Sequence, residues 1–239
     1  MSSSGAVTTD LVVNGIQYAT YVLEVCVCVS LIRGGRWRRL KGVGLYVASL
    51  FLLDGVARTA VRYCFGPASA QFFYFYWMTD VVIGLSAFLV ICGFYWRACL
   101  KKEKLWGRAR LLLILMLFVI LAASTRSLIH YTHLYVTFVI GFSQNLYFAC
   151  LVLNTLLYVM LQLFAIDDDE LRLLVCGLGV QLAGVPACFA LLHFTANNSL
   201  ARVLAVSLAP CCTPGMLLVW LYTVAWRSGD VELPGIVQA

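Results

Sequence analysis

Seven long apolar segments fill most of this chain of 239 residues and leave only short links between them. A bilayer core of about 30 Å is crossed by roughly 20 apolar residues in a helix, because lipid offers no partner to an open backbone. We therefore predict an all-α polytopic membrane protein, folded as a single seven-helix transmembrane bundle. Hydrophobic residues at 62% and charged residues at 12% fit that class. The predicted spans cover residues 11–32, 43–64, 72–96, 111–129, 134–164, 171–194 and 203–226.

Basic residues in the links predict the orientation of the bundle. Lysine and arginine are concentrated between the first two spans and between the third and fourth, whereas links 66–71, 131–133 and 195–201 contain neither. Cytoplasmic links carry the excess of positive charge, so we expect the N-terminus outside and the C-terminus in the cytoplasm. We expect a multi-pass protein of a cell membrane, the inner membrane of a bacterium. The net charge of +6 then indicates contact with anionic lipid headgroups of the bilayer, with no nucleic acid as a partner.

Charged residues within the predicted spans are the candidate functional residues, because such residues are costly in lipid and usually face partners inside the bundle. Asp54, Arg58 and Arg62 are four residues apart and share one helix face. We expect Arg58 to pair with Asp54 and, across the bundle, with Asp80 or Glu24, while Arg62 extends to the interface. The predicted ligand or ion-pair network comprises Glu24, Asp54, Arg58, Arg62, Tyr76, Asp80, Arg126, His193 and Arg202.

Two interpretations of this network remain open at the level of sequence. It can line an outward-open polar cavity that takes a small polar or anionic ligand. Alternatively, its charges are structural ion pairs that fix helix register, with the outer arginines on lipid phosphates. The leading functional prediction is a receptor-like sensory or signal-coupling membrane protein, acting through a cytoplasmic or membrane protein partner. The alternatives are a small-solute transporter and a non-catalytic subunit of a larger membrane complex.

Enzyme chemistry finds little support in the sequence. Every lysine lies in a predicted cytoplasmic link, so none is placed to form a retinal Schiff base within the bundle. Neither CxxC nor GxSxG occurs, and the cysteines lie mostly within spans, where they behave as small apolar residues. We therefore predict no catalytic residue, no metal and no cofactor.

Two further sequence features predict local structure. The acidic run 167–170 begins the sixth span, where carboxylates suit the positive end of a helix dipole, and we expect a helix cap in a solvated turn. A metal or diphosphate site is the alternative for this run. Pro186 in the sixth span and Pro210 and Pro214 in the seventh are expected to kink their helices.

The third span also carries a family resemblance. Residues 74–80 read YFYWMTD and residues 85–91 read LSAFLVI, and Gly15 and Gln17 lie in the first span. This pattern resembles uncharacterised seven-helix integral membrane proteins of Acidobacteria, although Cys92 to Tyr95 stand where that pattern would place a Glu. The family's layout is similar to the membrane modules of bacterial seven-helix sensors. The resemblance implies the fold and residence in a membrane, and it implies no activity.

Overall fold

The computed structural model describes residues 3–100, 103–126, 134–164, 168–194 and 208–225, and these residues are helical, without strands. The prediction of an all-α fold is therefore confirmed for the described part of the chain. We number the α-helices in chain order: α1 Ser3–Arg33, α2 Lys41–Ser49, α3 Arg58–Phe65, α4 Ala70–Cys99, α5 Glu103–Arg126, α6 Leu134–Leu163, α7 Asp169–Phe194 and α8 Cys212–Ala225.

Several of these helices are long and apolar enough to cross a membrane. Within the described residues, five stretches meet that condition, and two shorter apolar helices, Ala109–Thr125 and Cys212–Ala225, accompany them. The chain is thus a multi-pass helical membrane protein. The five stretches are Asn14–Arg33, Lys41–Phe65, Ala70–Cys99, Phe138–Leu163 and Asp169–Cys188.

The second predicted span is one continuous helix with an irregular centre. Between α2 and α3 the residues Leu50–Ala57 form a π-helical segment, in which the backbone turn is wider than in an α-helix. Gly66, with φ of 81°, ends α3, and Ser69 begins α4 by accepting a hydrogen bond from the backbone N–H of Phe72 at 3.1 Å. This short link sets α3 and α4 side by side.

The seventh predicted span is irregular at its prolines. Pro210 lies in a 3₁₀ turn, Ala209–Cys211, and Pro214 lies in the first turn of α8. The helical Leu208 directly precedes the 3₁₀ turn, so the helical path of the span is irregular at the prolines, in keeping with the expected kink. Pro186 lies inside α7, as the sequence indicated. Residues 203–207 and 226 of this span lie outside the described residues.

The core is centred on contacts among α4, α6, α7, α8 and the α2 segment. The fully buried Trp220 of α8 donates its indole N–H to the carbonyl of Leu174 on α7 at 2.9 Å. Its ring meets the edge of Tyr46, whose hydroxyl donates to Gln181 at 2.7 Å. Gly177 leaves the space that the Trp220 ring occupies, because a Cβ there would lie 2.9 Å from two indole atoms. One end of the bundle is thereby packed around aromatic side chains with satisfied polar groups.

Candidate functional site

The guanidinium of Arg58, the first residue of α3, gathers polar groups from its own helix and from α4. Its Nε–H donates to Thr79 Oγ1 at 2.8 Å, and Nη1 donates to Asp54 Oδ1. Its Nη2 donates to the carbonyl of Tyr76 at 3.1 Å and to Asp80 Oδ1 at 3.4 Å. Charge-assisted bonds of this kind are the strong ones in proteins. We call Asp54, Arg58, Tyr76, Thr79, Asp80 and Ser143 the Arg58 cluster.

The ring of Tyr76 completes the coordination of Arg58. The guanidinium carbon lies 4.1 Å from the ring centroid, which is cation–π geometry. The Arg58 side chain is 11% exposed, whereas that of its partner Asp54 is 44% exposed. The cluster therefore has a buried cation and an accessible carboxylate on one side.

Ser143 connects the cluster to a third helix. Its hydroxyl on α6 donates to Asp80 Oδ2, while Asp80 Oδ1 faces Arg58. Asp80 thus links α3 with α6 through its two carboxylate oxygens. The packing of α4 on α6 is close at this level, because a Cβ on Gly84 would approach Leu146 Cδ2 at 3.0 Å. Both the charge and the packing hold these helices in register.

Asp54 and Arg58 lie four residues apart on one helix face, at the end of the π-helical segment. Asp54 lies in the π-helical segment, and Arg58 is the first residue after it. Within the same segment, Gly55 lies against α1, where a Cβ would come within 3.0 Å of the Tyr21 ring. π-Helical geometry within α-helices frequently occurs at functional sites.

Glu24 of α1 lies beside this cluster without joining its hydrogen bonds. The residue is 2% exposed, and its Oε2 has no hydrogen-bond partner among the described residues. Asp54 lies near enough to interact with it electrostatically. Of the two cross-bundle partners expected for Arg58, the structure brings Asp80 to the guanidinium.

The other predicted site residues are placed differently. Arg62 is exposed at the last turn of α3. Arg126 ends α5 and His193 lies in the last turn of α7, and their side chains fall outside the described part of the structure. Arg202 lies outside the described residues. The structure therefore brings together Asp54, Arg58, Tyr76 and Asp80.

A second charged cluster closes the opposite end of α4. Arg97 forms two bonds of 2.9 Å to the carboxylate of Asp168 and one of 2.7 Å to Glu170 Oε2. Arg39 also contacts Glu170 Oε2 at 2.7 Å, and Arg36 lies 3.8 Å from Oε1. We call these five residues the Arg97 cluster. It ties the α1–α2 link and the end of α4 to the start of α7.

The Arg97 cluster corrects the prediction of a solvated acidic turn. Asp168 does cap α7, because its Oδ1 accepts from the backbone N–H of Leu171 at 3.0 Å. Glu170, however, is 7% exposed and paired with arginines from two other segments. Asp167 lies outside the described residues. The run therefore serves as an interhelical anchor as well as a helix cap.

Sequence reasoning missed Thr79, and it left Ser143 out of the predicted network. A hydroxyl next to a predicted intramembrane Asp was the available signal for Thr79. For the Arg97 cluster the signal was basic links on the same predicted side as an acidic run, although which arginine meets which carboxylate depends on how the helices pack.

The described residues contain no group of three or more His, Cys, Asp or Glu side chains placed to hold a metal ion. The fold and its two charged clusters define a helical multi-pass membrane protein with paired charges at two levels of α4. Comparison with protein-family models, with curated proteins and with solved structures found no match.

Proposed function

We propose that the protein is a receptor-like sensory or signal-coupling membrane protein that binds a small polar ligand at the Arg58 cluster. The supporting observation is a buried guanidinium whose partners come from its own helix and from α4 and include a half-exposed carboxylate, Asp54. Ser143 of α6 joins this arrangement through Asp80. Convergent polar groups beside apolar walls are typical of small-molecule sites. Ionisable residues in a membrane interior are costly, and for that reason they are also candidates for a functional site.

The charge of the cluster bears on the class of ligand. Arg58 stands against two carboxylates, Asp54 and Asp80. An anionic ligand approaching Asp54 would therefore meet like charge, whereas an amine or amide would find acceptors. We propose a ligand with hydrogen-bond donors or a positive charge, and an anionic ligand is the competing outcome.

We further propose the complete topology of seven spans, with the N-terminus outside and the C-terminus in the cytoplasm of a bacterial inner membrane. The Arg97 cluster and the basic first link lie at one end of α4, and that end carries the positive charge expected of the cytoplasmic face. Labelling of Ser3→Cys and Gln238→Cys variants in sealed cells tests the topology. A reagent reaching Ser3→Cys only after permeabilisation would contradict it.

Signal coupling is supported by the position of the two clusters on one helix. At a rise of about 1.5 Å per residue, the stretch of α4 from Asp80 to Arg97 covers about 25 Å. A ligand that alters the bonds of Asp80 would shift α4, and the Arg97 cluster would transmit that shift to the basic link and to α7. A partner at these links would then receive the signal.

A thermal-stability screen of the purified protein with amines, amides and carboxylates tests the proposal. We expect stabilisation by a member of the first two classes, loss of that effect in Asp54→Asn, and its retention in Arg38→Ala, an exposed arginine at the other end. Stabilisation by none of the three classes contradicts the receptor proposal. Stabilisation by carboxylates alone contradicts the proposed ligand class.

A small-solute transporter is the second candidate, favoured by a specific asymmetry. The Arg97 cluster closes one end of the bundle with buried ion pairs, while the Arg58 cluster keeps a half-exposed carboxylate. Such an arrangement resembles one state of an alternating-access cycle. Uptake of a stabilising compound into vesicles containing the protein, and its loss in Asp54→Asn, would favour transport over sensing.

A further inference from the structure

Glu24 is the buried carboxyl group that the hydrogen bonds of the Arg58 cluster leave unexplained. Its side chain is enclosed, at 2% exposure, and Oε2 finds no donor in the described structure. Buried polar atoms without partners are rare in folded proteins, and an ionised carboxylate in this condition is costly. A neutral, protonated carboxyl group would avoid the cost of the buried charge.

The charges around Glu24 favour its neutral form over the carboxylate. Arg58 already makes ion pairs with Asp54 and Asp80, so its single positive charge faces two negative ones before Glu24 is considered. An ionised Glu24, within electrostatic range of Asp54, would add a third. Protonation of Glu24 removes its negative charge, and with it both the cost of burying that charge and the repulsion from Asp54.

In the described part of the chain, the groups near Glu24 are acidic or neutral. Groups in electrostatic contact with it include Cys28 on α1, Tyr46 on α2 and Asp54 in the π-helical segment, and none of these is basic. Helix α8, which packs along α1, contains no Asp, Glu, Lys, Arg or His between Cys212 and Ala225. The 3₁₀ turn Arg36–Arg38, which also packs on α1, lies beyond the end of that helix, and Arg36 faces Glu170.

We propose that Glu24 is a proton-binding site, at which the protein takes up and releases a proton within the membrane. The described residues contain no set of three metal-ligating side chains, which favours a proton over a metal ion as the bound cation. Proton uptake converts the Glu24 carboxylate to the neutral acid, and proton release regenerates the carboxylate, which repels the nearby Asp54. Intramembrane acids of this kind form proton relays.

Proton release at Glu24 also changes the Arg58 cluster. A negative Glu24 repels the negative Asp54. This repulsion changes how the Arg58 guanidinium divides its hydrogen bonds between Asp54 on its own helix and Asp80 on α4. The π-helical segment that carries Asp54 lies between the two groups and packs on α1 through Gly55 and Tyr21. A change in the protonation of Glu24 on α1 thereby alters the contacts of Asp80 on α4.

Infrared spectroscopy of the protein in lipid vesicles tests this inference without a ligand, so the outcome does not depend on the receptor proposal. We expect the carbonyl-stretch band of a protonated carboxyl group at neutral pH, and its loss in Glu24→Gln. The matched control is Glu170→Gln, which alters a second buried glutamate that is paired with arginines, and it should leave the band unchanged.

Isotope labelling of the wild-type protein gives a second test, which does not depend on whether the variants fold. Carbon-13 labelling of glutamate carboxyl groups should shift the band, whereas the same labelling of aspartate should not. The inference is overturned if the wild-type protein shows no such band at neutral pH. It is equally overturned if the band survives Glu24→Gln or shifts with labelled aspartate.

Discussion

Arg97 holds Asp168 through two parallel hydrogen bonds, from Nε to Oδ2 and from Nη2 to Oδ1, each of 2.9 Å. The pair joins the end of α4 to the residue that caps α7. A guanidinium presents its donors in a planar fork that matches a carboxylate, so this geometry adds orientation to attraction. The same Nη2 also reaches Glu170, and one arginine therefore orders the first turn of α7.

Removal of the Arg97 side chain should destabilise the protein strongly. The side chain is 13% exposed, and Arg97→Ala would leave the buried Glu170 with fewer counter-charges. We expect a loss of about 3 kcal/mol or more in the free energy of unfolding, measured by thermal unfolding in detergent. Arg38→Ala, an exposed arginine on the same side, should change it by less than about 0.5 kcal/mol. Equal effects of the two variants would mean that the Arg97 cluster contributes little to the free energy of unfolding.

Removal of Arg58 should uncover two carboxylates at once. Because Arg58 pairs with both Asp54 and Asp80, Arg58→Ala should cost about 3–5 kcal/mol of unfolding free energy. Arg62→Ala is the matched control, one turn further along α3 and exposed, and should be nearly neutral. Unfolding of Arg58→Ala at the wild-type temperature would place Arg58 in contact with lipid or water.

A double substitution separates the two partners of Arg58. Arg58→Leu with Asp54→Leu should recover only part of the lost stability, because Asp80 keeps its charge beside Ser143. Adding Asp80→Asn should recover more, since it removes the remaining unpaired charge. Thermal unfolding of the single, double and triple variants measures these steps. Complete recovery in the double variant would show that Asp80 needs no counter-charge.

The face of the Tyr76 ring should contribute to stability through its contact with the Arg58 guanidinium. Tyr76→Leu removes the surface against which Arg58 packs at 4.1 Å and should cost about 1 kcal/mol, whereas Tyr76→Phe should keep most of the interaction. Tyr74→Leu, at a position with 49% exposure on the same helix, is the control and should be close to neutral. Equal losses in Tyr76→Leu and Tyr76→Phe would assign the effect to the hydroxyl group.

Gly177 should be intolerant of even one added methyl group. Its Cβ would meet two atoms of Trp220 at 2.9 Å, and that ring is fully buried and hydrogen-bonded to Leu174. We expect Gly177→Ala to cost about 1–3 kcal/mol. Gly93→Ala on α4 meets nothing within 4 Å and should be neutral or slightly stabilising. The unfolding temperatures of the two variants, compared with wild type, check this contrast.

Much of the architecture follows from the order of apolar residues. Runs of about 20 apolar residues must be helical in lipid, and the helices near Lys41, Ala70, Leu134 and Asp169 begin within two residues of the predicted spans. The pairing of Asp54 with Arg58 was also predictable, because residues four apart on a helix are neighbours. These relationships are local in the chain.

Relationships between helices needed the tertiary structure. The sequence offered Asp80 or Glu24 as the distant partner of Arg58, and the choice of Asp80 depends on how α3 packs against α4. It placed the acidic run in solvent, because nothing in the run indicates that Arg36, Arg39 and Arg97 converge on Glu170. Hydrophobic patterning specifies which segments cross the membrane, since that depends only on transfer from water to lipid. The rotation of each helix about its own axis is set by packing and by paired charges. These contacts exist only once the bundle has assembled.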